Sequence, residues 1–263
     1  MKRISVIVAL MILTGCGMNA EPYGWTEHNL IAHAAGGIDK KSYTNSIEAF
    51  NHNYEKGHRL FEIDISITSD DKLVARHGWE DDLGQNLNNN KQPLSYKEYM
   101  KTTYHNKYHP MDFDDVLNLL EKHDDIYIIL DGKVESPKDV EILYEKIGEA
   151  TKNLKPKYKE RLIPQMFYKA DLEVIRDKGF HDIVYVVGRE EFNPESLAKY
   201  CEDNDIGVVS LSRSRTSKKL VEKLSEKEIV TYMYTLNDQK EMNKYLDMGV
   251  HGFFTDFVDE LNK

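Results

Sequence analysis

The chain has 263 residues, 40% hydrophobic and 30% charged, which allows a full buried core and excludes disordered and collagen-like classes. Its formal net charge of −10 argues against nucleic acid as a partner, because phosphates are repelled overall. Any phosphate-bearing ligand must therefore meet a local cation or a metal ion.

The first element is an export signal. Lys2 and Arg3 precede an apolar run over residues 4–13, followed by Leu13-Thr14-Gly15-Cys16. The run is too short for a bilayer span, which needs roughly 20 residues. The Leu-Thr-Gly-Cys ending resembles the lipobox of bacterial lipoproteins. That resemblance implies cleavage before Cys16, lipidation of its thiol and anchoring of the mature chain outside the cytoplasm. The second cysteine, Cys201, then has no disulfide partner and reads as a packed thiol. Residues 1–15 are thus expected as signal peptide, 16–27 as a polar tether and 28–263 as one domain, with a monomer expected.

Beyond the tether, short apolar runs alternate with amphipathic stretches. Strands are predicted at 30–35, 60–67, 126–130, 162–167, 183–187, 206–211, 229–234 and 252–255, several of them rich in Val, Ile and Tyr. Helices are predicted at 45–56, 137–153, 171–178, 194–203, 217–225 and 238–248. Ser136 before Pro137 marks one helix start. Residues 78–124 break the rhythm with a Tyr- and Asn-rich insertion between strands two and three. It carries a helix near 114–122 and is placed over one end of the sheet, where it either stacks on a ligand or packs on itself. Eight strands alternating with helices fit a (β/α)₈ barrel, and the alternation alone also fits a doubly wound open sheet.

The chemistry begins at Phe61-Glu62-Ile63-Asp64-Ile65. Alternate strand residues share a face, so Glu62 and Asp64 project together. Two such carboxylates repel, and a hard divalent cation with oxygen ligands relieves them; a solvated strand end presents the same pair. A second acid, Asp131, closes the apolar run 126–130, and Lys133 shares its face. In a barrel, groups at the C-terminal ends of strands line the active site, so Asp131 is a candidate third ligand and Lys133 a partner for an anionic oxygen. His33 and His77 each end a short apolar run and are candidates for general acid and base.

Taken in order, these motifs resemble the glycerophosphodiester phosphodiesterase family, within the phosphatidylinositol-phospholipase-C-like barrels. His33 falls at the family's His-Arg-Gly, and Asn45-Ser46-Ile47-Glu48-Ala49-Phe50 matches the segment after its Pro-Glu-Asn-Thr. Glu62-Ile63-Asp64 matches its Glu-x-Asp, Asp131-Gly132-Lys133 its Glu-x-Lys, and Tyr234-Thr235-Leu236-Asn237 its Trp-Thr-Val-Asn. The segment from Gly249 to Asp256 resembles the family's closing motif. The resemblance implies a (β/α)₈ barrel with one divalent metal, Ca²⁺ or Mg²⁺, on Glu62, Asp64 and Asp131. It also implies acid–base catalysis by His33 and His77, with Lys133 stabilising the added negative charge. The sequence departs from the family at Ala34, where relatives have Arg, at Thr44 for Glu, at Gly78 for the Asp after the second histidine, and at Asp131 for Glu.

Trp79, Gln165 and Tyr234 are further candidates for the substrate pocket. Arg76, which directly precedes His77, is expected to point the other way. The expected function is metal-dependent hydrolysis of a glycerophosphodiester. Two alternatives stay open, a phospholipase acting on lipid headgroups and a barrel that binds a phosphate ligand without turnover.

Overall fold

Every strand in this chain has two alternating faces, and a sheet closed on itself gives each face something to cover. The computed structural model describes residues 24–81, 83–84, 91–134 and 136–262. Cys16, the expected signal peptide and most of the expected tether lie outside them. In chain order the elements are β1 (Leu30–Ala32), α1 (Ile47–Glu55), β2 (Leu60–Ile67), β3 (Leu73–Ala75), α2 (Tyr96–Tyr99), α3 (Phe113–Lys122), β4 (Tyr127–Gly132), α4 (Pro137–Thr151), α5 (Pro156–Lys159), β5 (Leu162–Met166), α6 (Asp171–Arg176), β6 (Val184–Val187), α7 (Pro194–Asp203), β7 (Val208–Ser212), α8 (Lys218–Ser225), β8 (Val230–Tyr234), α9 (Gln239–Leu246) and β9 (Gly252–Thr255).

β1 pairs in parallel with both β2 and β9, so the strands β1, β2 and β4 to β9 close into an eight-stranded (β/α)₈ barrel. All eight predicted strands are present. β3 is an additional short strand, antiparallel to β2 and outside the ring. The first strand is shorter than expected, because His33–Ala35 turns away in a 3-10 bend with Ala34 and Ala35 at φ of 51° and 68°. The helices start where their caps dictate. Ser46, Ser136, Ser217 and Asp238 each accept a hydrogen bond from a backbone amide in the first turn of α1, α4, α8 and α9.

Side-chain alternation sorts the core into two layers. Phe61, Ile63 and Ile65 of β2 join Ile128 and Leu130 of β4 in the layer between sheet and helices. Leu60 and Ile129 face inward with Ile31, Ile163, Val184 and Val208, filling the N-terminal part of the barrel. Two residues further along β2, β4, β5 and β7, the inward row turns polar at Glu62, Asp131, Gln165 and Ser210, all buried, while β6 stays apolar at Val186. The barrel is therefore apolar at its base and chemically equipped at its C-terminal end.

The tether ends sooner than residue 27. Gly24–Glu27 forms a 3-10 turn whose Trp25 is 1% exposed among the inward-facing base residues. Its indole stacks on Tyr232 and its Nε1 donates to Asp182 Oδ2 at 3.2 Å. The folded unit thus begins by Gly24. Of the two readings of the insertion, packing on itself is the one the structure shows. Tyr99, Tyr104 and Tyr108 pack with Val74 against the flank of β3, and the Tyr99 and Tyr104 hydroxyls both reach the Ala75 carbonyl. Its tyrosines pack on themselves and on β3, away from the barrel mouth. We expect Trp25→Ala to destabilise the fold by about 3–5 kcal/mol through loss of this plug. Denaturant unfolding measures this, and a loss below about 1 kcal/mol would contradict it.

Candidate active site

Register brings the acids together. Asp64 and Asp131 are direct partners in the β2–β4 ladder, and Glu62 lies two residues back on the same inward face. One ligand atom from each of the three falls within 4.8 Å of the others. Glu62 and Asp64 are fully buried and Asp131 is 9% exposed. Such crowding needs compensation, and the surrounding residues supply part of it. The Ala34 amide donates to Glu62 Oε2 at 2.6 Å, and the left-handed backbone at Ala34 belongs to the bend that presents this amide. The Asn45 side chain donates to Asp64 Oδ2 at 2.7 Å and accepts from the Asp64 amide at 3.0 Å, fixing that carboxylate from both ends. Lys133 Nζ lies 2.8 Å from Asp64 Oδ1 and 2.6 Å from Asp131 Oδ2.

One oxygen of each acid, Glu62 Oε1, Asp64 Oδ1 and Asp131 Oδ1, accepts no hydrogen bond among the described residues, although Asp64 Oδ1 is in ion-pair contact with Lys133. Buried oxygens left over on three converging carboxylates fit a hard divalent cation. The electrostatics are divided unequally. Burial and the charges of Asp64 and Asp131 push the Glu62 carboxyl well above its ordinary value. Burial acts on Asp64 in the same direction, but Lys133, His77 and His33 outweigh it and hold that carboxyl down at about 2. Burial works against the charged ammonium of Lys133, yet Asp131, Asp64 and Glu62 prevail and keep it protonated.

The two histidines flank this cluster, and each has a carboxylate on Nδ1. His33 Nδ1 hydrogen-bonds Asp256 Oδ1 at 2.8 Å, and Asn237 Nδ2 donates to the other Asp256 oxygen at 2.7 Å. His77 Nδ1 hydrogen-bonds Asp81 Oδ2 at 2.5 Å. A carboxylate on Nδ1 orients the ring and leaves Nε2 to exchange a proton. His33 Nε2 faces the acids, 4.0 Å from Glu62 Oε2. Tyr43 stands between the two imidazoles, its ring centroid 4.9 Å from His33 and 4.8 Å from His77. Burial first, and the Asp256 and Asp64 charges after it, push its hydroxyl up, so it stays a neutral phenol.

These groups line a cavity of about 580 Å³ at the C-terminal end of the barrel. His33, His77, Glu62, Asp131, Lys133, Gln165 and Tyr234 all contribute to it. Trp79 does not, contrary to expectation: its Nε1 donates to the Ile67 carbonyl at 3.1 Å and its ring packs edge-on against Tyr99, under the insertion. Arg76 points away from the cavity, with Nη2 donating to the Asp81 carbonyl at 2.9 Å. The departures at 34 and 44 leave no stranded charge, since Ala34 and Thr44 are both fully buried and the Asn45 amide donates to the Ala34 carbonyl at 3.1 Å. Cys201 is a packed thiol, pushed up to about 12 by burial. Asp256, Asp81, Tyr43, Arg189 and Arg215 were not among the sequence candidates. The closing motif that contains Asp256 was the one available signal.

The chain belongs to the glycerophosphoryl diester phosphodiesterase family, a family of phosphoric diester hydrolases, whose model matches residues 37–260. Solved structures share the fold. A glycerophosphodiester phosphodiesterase from Thermotoga maritima is 21% identical, with 87% of this chain and 94% of that chain covered and a TM-score of 0.67. One from Parabacteroides distasonis is 20% identical, with 87% and 92% covered and a TM-score of 0.67. A phosphodiesterase from Oleispira antarctica, in complex with the product sn-glycerol-3-phosphate, is 15% identical, with 89% and 95% covered and a TM-score of 0.69. No curated protein matches the chain in sequence.

The raised Glu62 carboxyl has a testable consequence. A cation arriving at the three acids must expel the Glu62 proton, so affinity for Ca²⁺ or Mg²⁺ rises as the pH climbs above the ordinary carboxyl value of 4.5. The expected slope is about tenfold per pH unit until Glu62 has ionised. Calorimetric titration in buffers of different ionisation enthalpy registers the released proton. A pH-independent affinity without proton release would contradict the assignment.

Proposed function

We propose that the protein hydrolyses a glycerophosphodiester to glycerol phosphate and an alcohol, with His33 and His77 as the acid–base pair. The observation that carries this reading is the convergence of two carboxylate-oriented imidazoles on a cluster of three buried acids in one cavity. Family membership and the relative that holds sn-glycerol-3-phosphate support the same substrate class. Nε2 of one histidine takes the proton of the attacking hydroxyl, from water or from the substrate's own neighbouring alcohol, and Nε2 of the other protonates the departing alcohol. Asp256 and Asp81 hold the two rings in place and stabilise the imidazolium that forms. Lys133 keeps a positive charge at the cavity wall beside Asp64 and Asp131.

Glu62, Asp64 and Asp131 would hold the divalent cation, Ca²⁺ or Mg²⁺. Bound there, it would draw charge from a non-bridging phosphate oxygen. The Tyr43 hydroxyl lies beside both histidines, where a neutral donor serves a phosphate without adding charge.

The Leu13-Thr14-Gly15-Cys16 motif supports export and lipid anchoring through Cys16, with the substrate met outside the cytoplasm. Among the described residues no helix is long and apolar enough to cross a membrane.

Thorough chelation should abolish release of glycerol phosphate from a soluble glycerophosphodiester, and added Ca²⁺ or Mg²⁺ should restore it. His33→Ala and His77→Ala should each lower kcat/KM by about 10²–10⁴ with the fold intact. Undiminished turnover after chelation, or in either variant, would rule the mechanism out.

A further inference from the structure

One wall of the cavity takes no part in these steps. In the ring order, β6 lies four strands from β1 and β7 four strands from β2, so the ends of β6 and β7 face His33 and the acids across the barrel. Two arginines line the cavity there, Arg189 just after β6 and Arg215 in the turn after β7. The two turns are linked, because Arg215 Nη2 donates to the Gly188 carbonyl, next to Arg189, at 3.3 Å. Arg189 lies over the Phe167 ring at 4.4 Å and donates to the Val134 carbonyl at 3.3 Å. Tyr234, at the end of β8, lines the same cavity.

In a chain with 45 acidic residues against 35 basic ones, these two arginines are poorly matched by acids. Arg213, in the same turn as Arg215, makes two hydrogen bonds to Glu241, at 2.6 and 2.9 Å. The carboxylate nearest Arg215 is Glu191, 3.7 Å away and with its side chain 92% exposed. Arg189 has no carboxylate at ion-pair distance among the described residues, and the neighbouring Glu190 is engaged by the Tyr185 hydroxyl and the Lys169 amide. Two guanidinium groups with donors to spare, opening on a cavity, make a site for an oxyanion. Ser212 and Ser214, whose hydroxyls are 3.1 Å apart at the same wall, add neutral donors.

Resting on the diesterase reading above, we infer that Arg189 and Arg215 form a second anion subsite that recognises the alcohol side of the substrate. The preferred diester is one whose leaving alcohol carries a further phosphate. A choline-type alcohol would bring its cation against both arginines, and a plain glycerol would leave their donors to water.

The test compares three diesters on the whole protein with metal present: glycerophosphoglycerol, glycerophosphocholine, and glycerophosphoglycerol bearing a phosphate on its second glycerol. The phosphorylated diester should exceed the neutral one by about tenfold or more in kcat/KM, with the choline diester lowest. In the Arg189→Gln/Arg215→Gln double variant the ratio of phosphorylated to neutral diester should fall to within about twofold. Raising the salt from about 50 to 300 mM should narrow the ratio in the unaltered protein, a readout independent of the variant's folding. Turnover with no preference among the three would overturn the subsite and leave the diesterase reading standing. An equal loss on all three in the double variant would overturn it too, since the arginines would then serve the scissile phosphate. Hydrolysis of none of them would remove the diesterase reading, and the subsite with it.

Discussion

Mutual repulsion among three carboxylates at one end of a closed barrel is the constraint around which the site is arranged. Strand register leaves no freedom in the matter: Asp64 and Asp131 are ladder partners, and Glu62 follows on the same face. Left alone, the cluster would be costly to bury. A backbone amide serves Glu62, Asn45 clamps Asp64, and Lys133 lies against Asp64 and Asp131. These partners leave Glu62 Oε1 and Asp131 Oδ1 without a hydrogen bond among the described residues and Asp64 Oδ1 against Lys133 alone, a set that fits a cation. The cost in stability is accepted where the chemistry is needed, while the opposite end of the barrel is filled by Trp25 and a layer of Ile, Leu and Val.

The parts legible in the sequence were those governed by period two. Glu62 and Asp64 stood out because they interrupt an apolar strand on alternate residues, and Asp131 because it ends a run of Ile and Leu. The barrel followed from eight such runs, with the ordered motifs deciding between closed and open sheets. Turns obey no such period. Asp256 lies 223 residues from His33 in sequence and reaches it only when β9 closes against β1. Asp81, Arg189 and Arg215 sit on turns whose direction the sequence does not encode by spacing. Trp25 was hidden for a related reason, since a single aromatic in an aperiodic segment carries no pattern. Trp79 lies two residues after His77, and nearness in a chain that is leaving a strand proved a poor guide to direction.

The departures from the family pattern gain sense in three dimensions. Positions 34 and 44 lose opposite charges together and remain buried and neutral. Gly78 lacks the carboxylate expected after the second histidine, and Asp81, a few residues later, places one on the His77 ring. The cavity thus has two unlike walls. One is built of histidines and acids around the proposed metal position, and the other of arginines, serines and aromatics. The first resembles the family's chemistry, and the second is where this chain's selectivity would reside.

The most direct measurement is diffraction from crystals soaked with Mn²⁺ and glycerol 3-phosphate, read by anomalous scattering. The account predicts a single strong peak held by Glu62, Asp64 and Asp131, with the phosphate between that ion and the Nε2 atoms of His33 and His77. An ion bound away from the three acids, or a phosphate reached by neither imidazole, would contradict it.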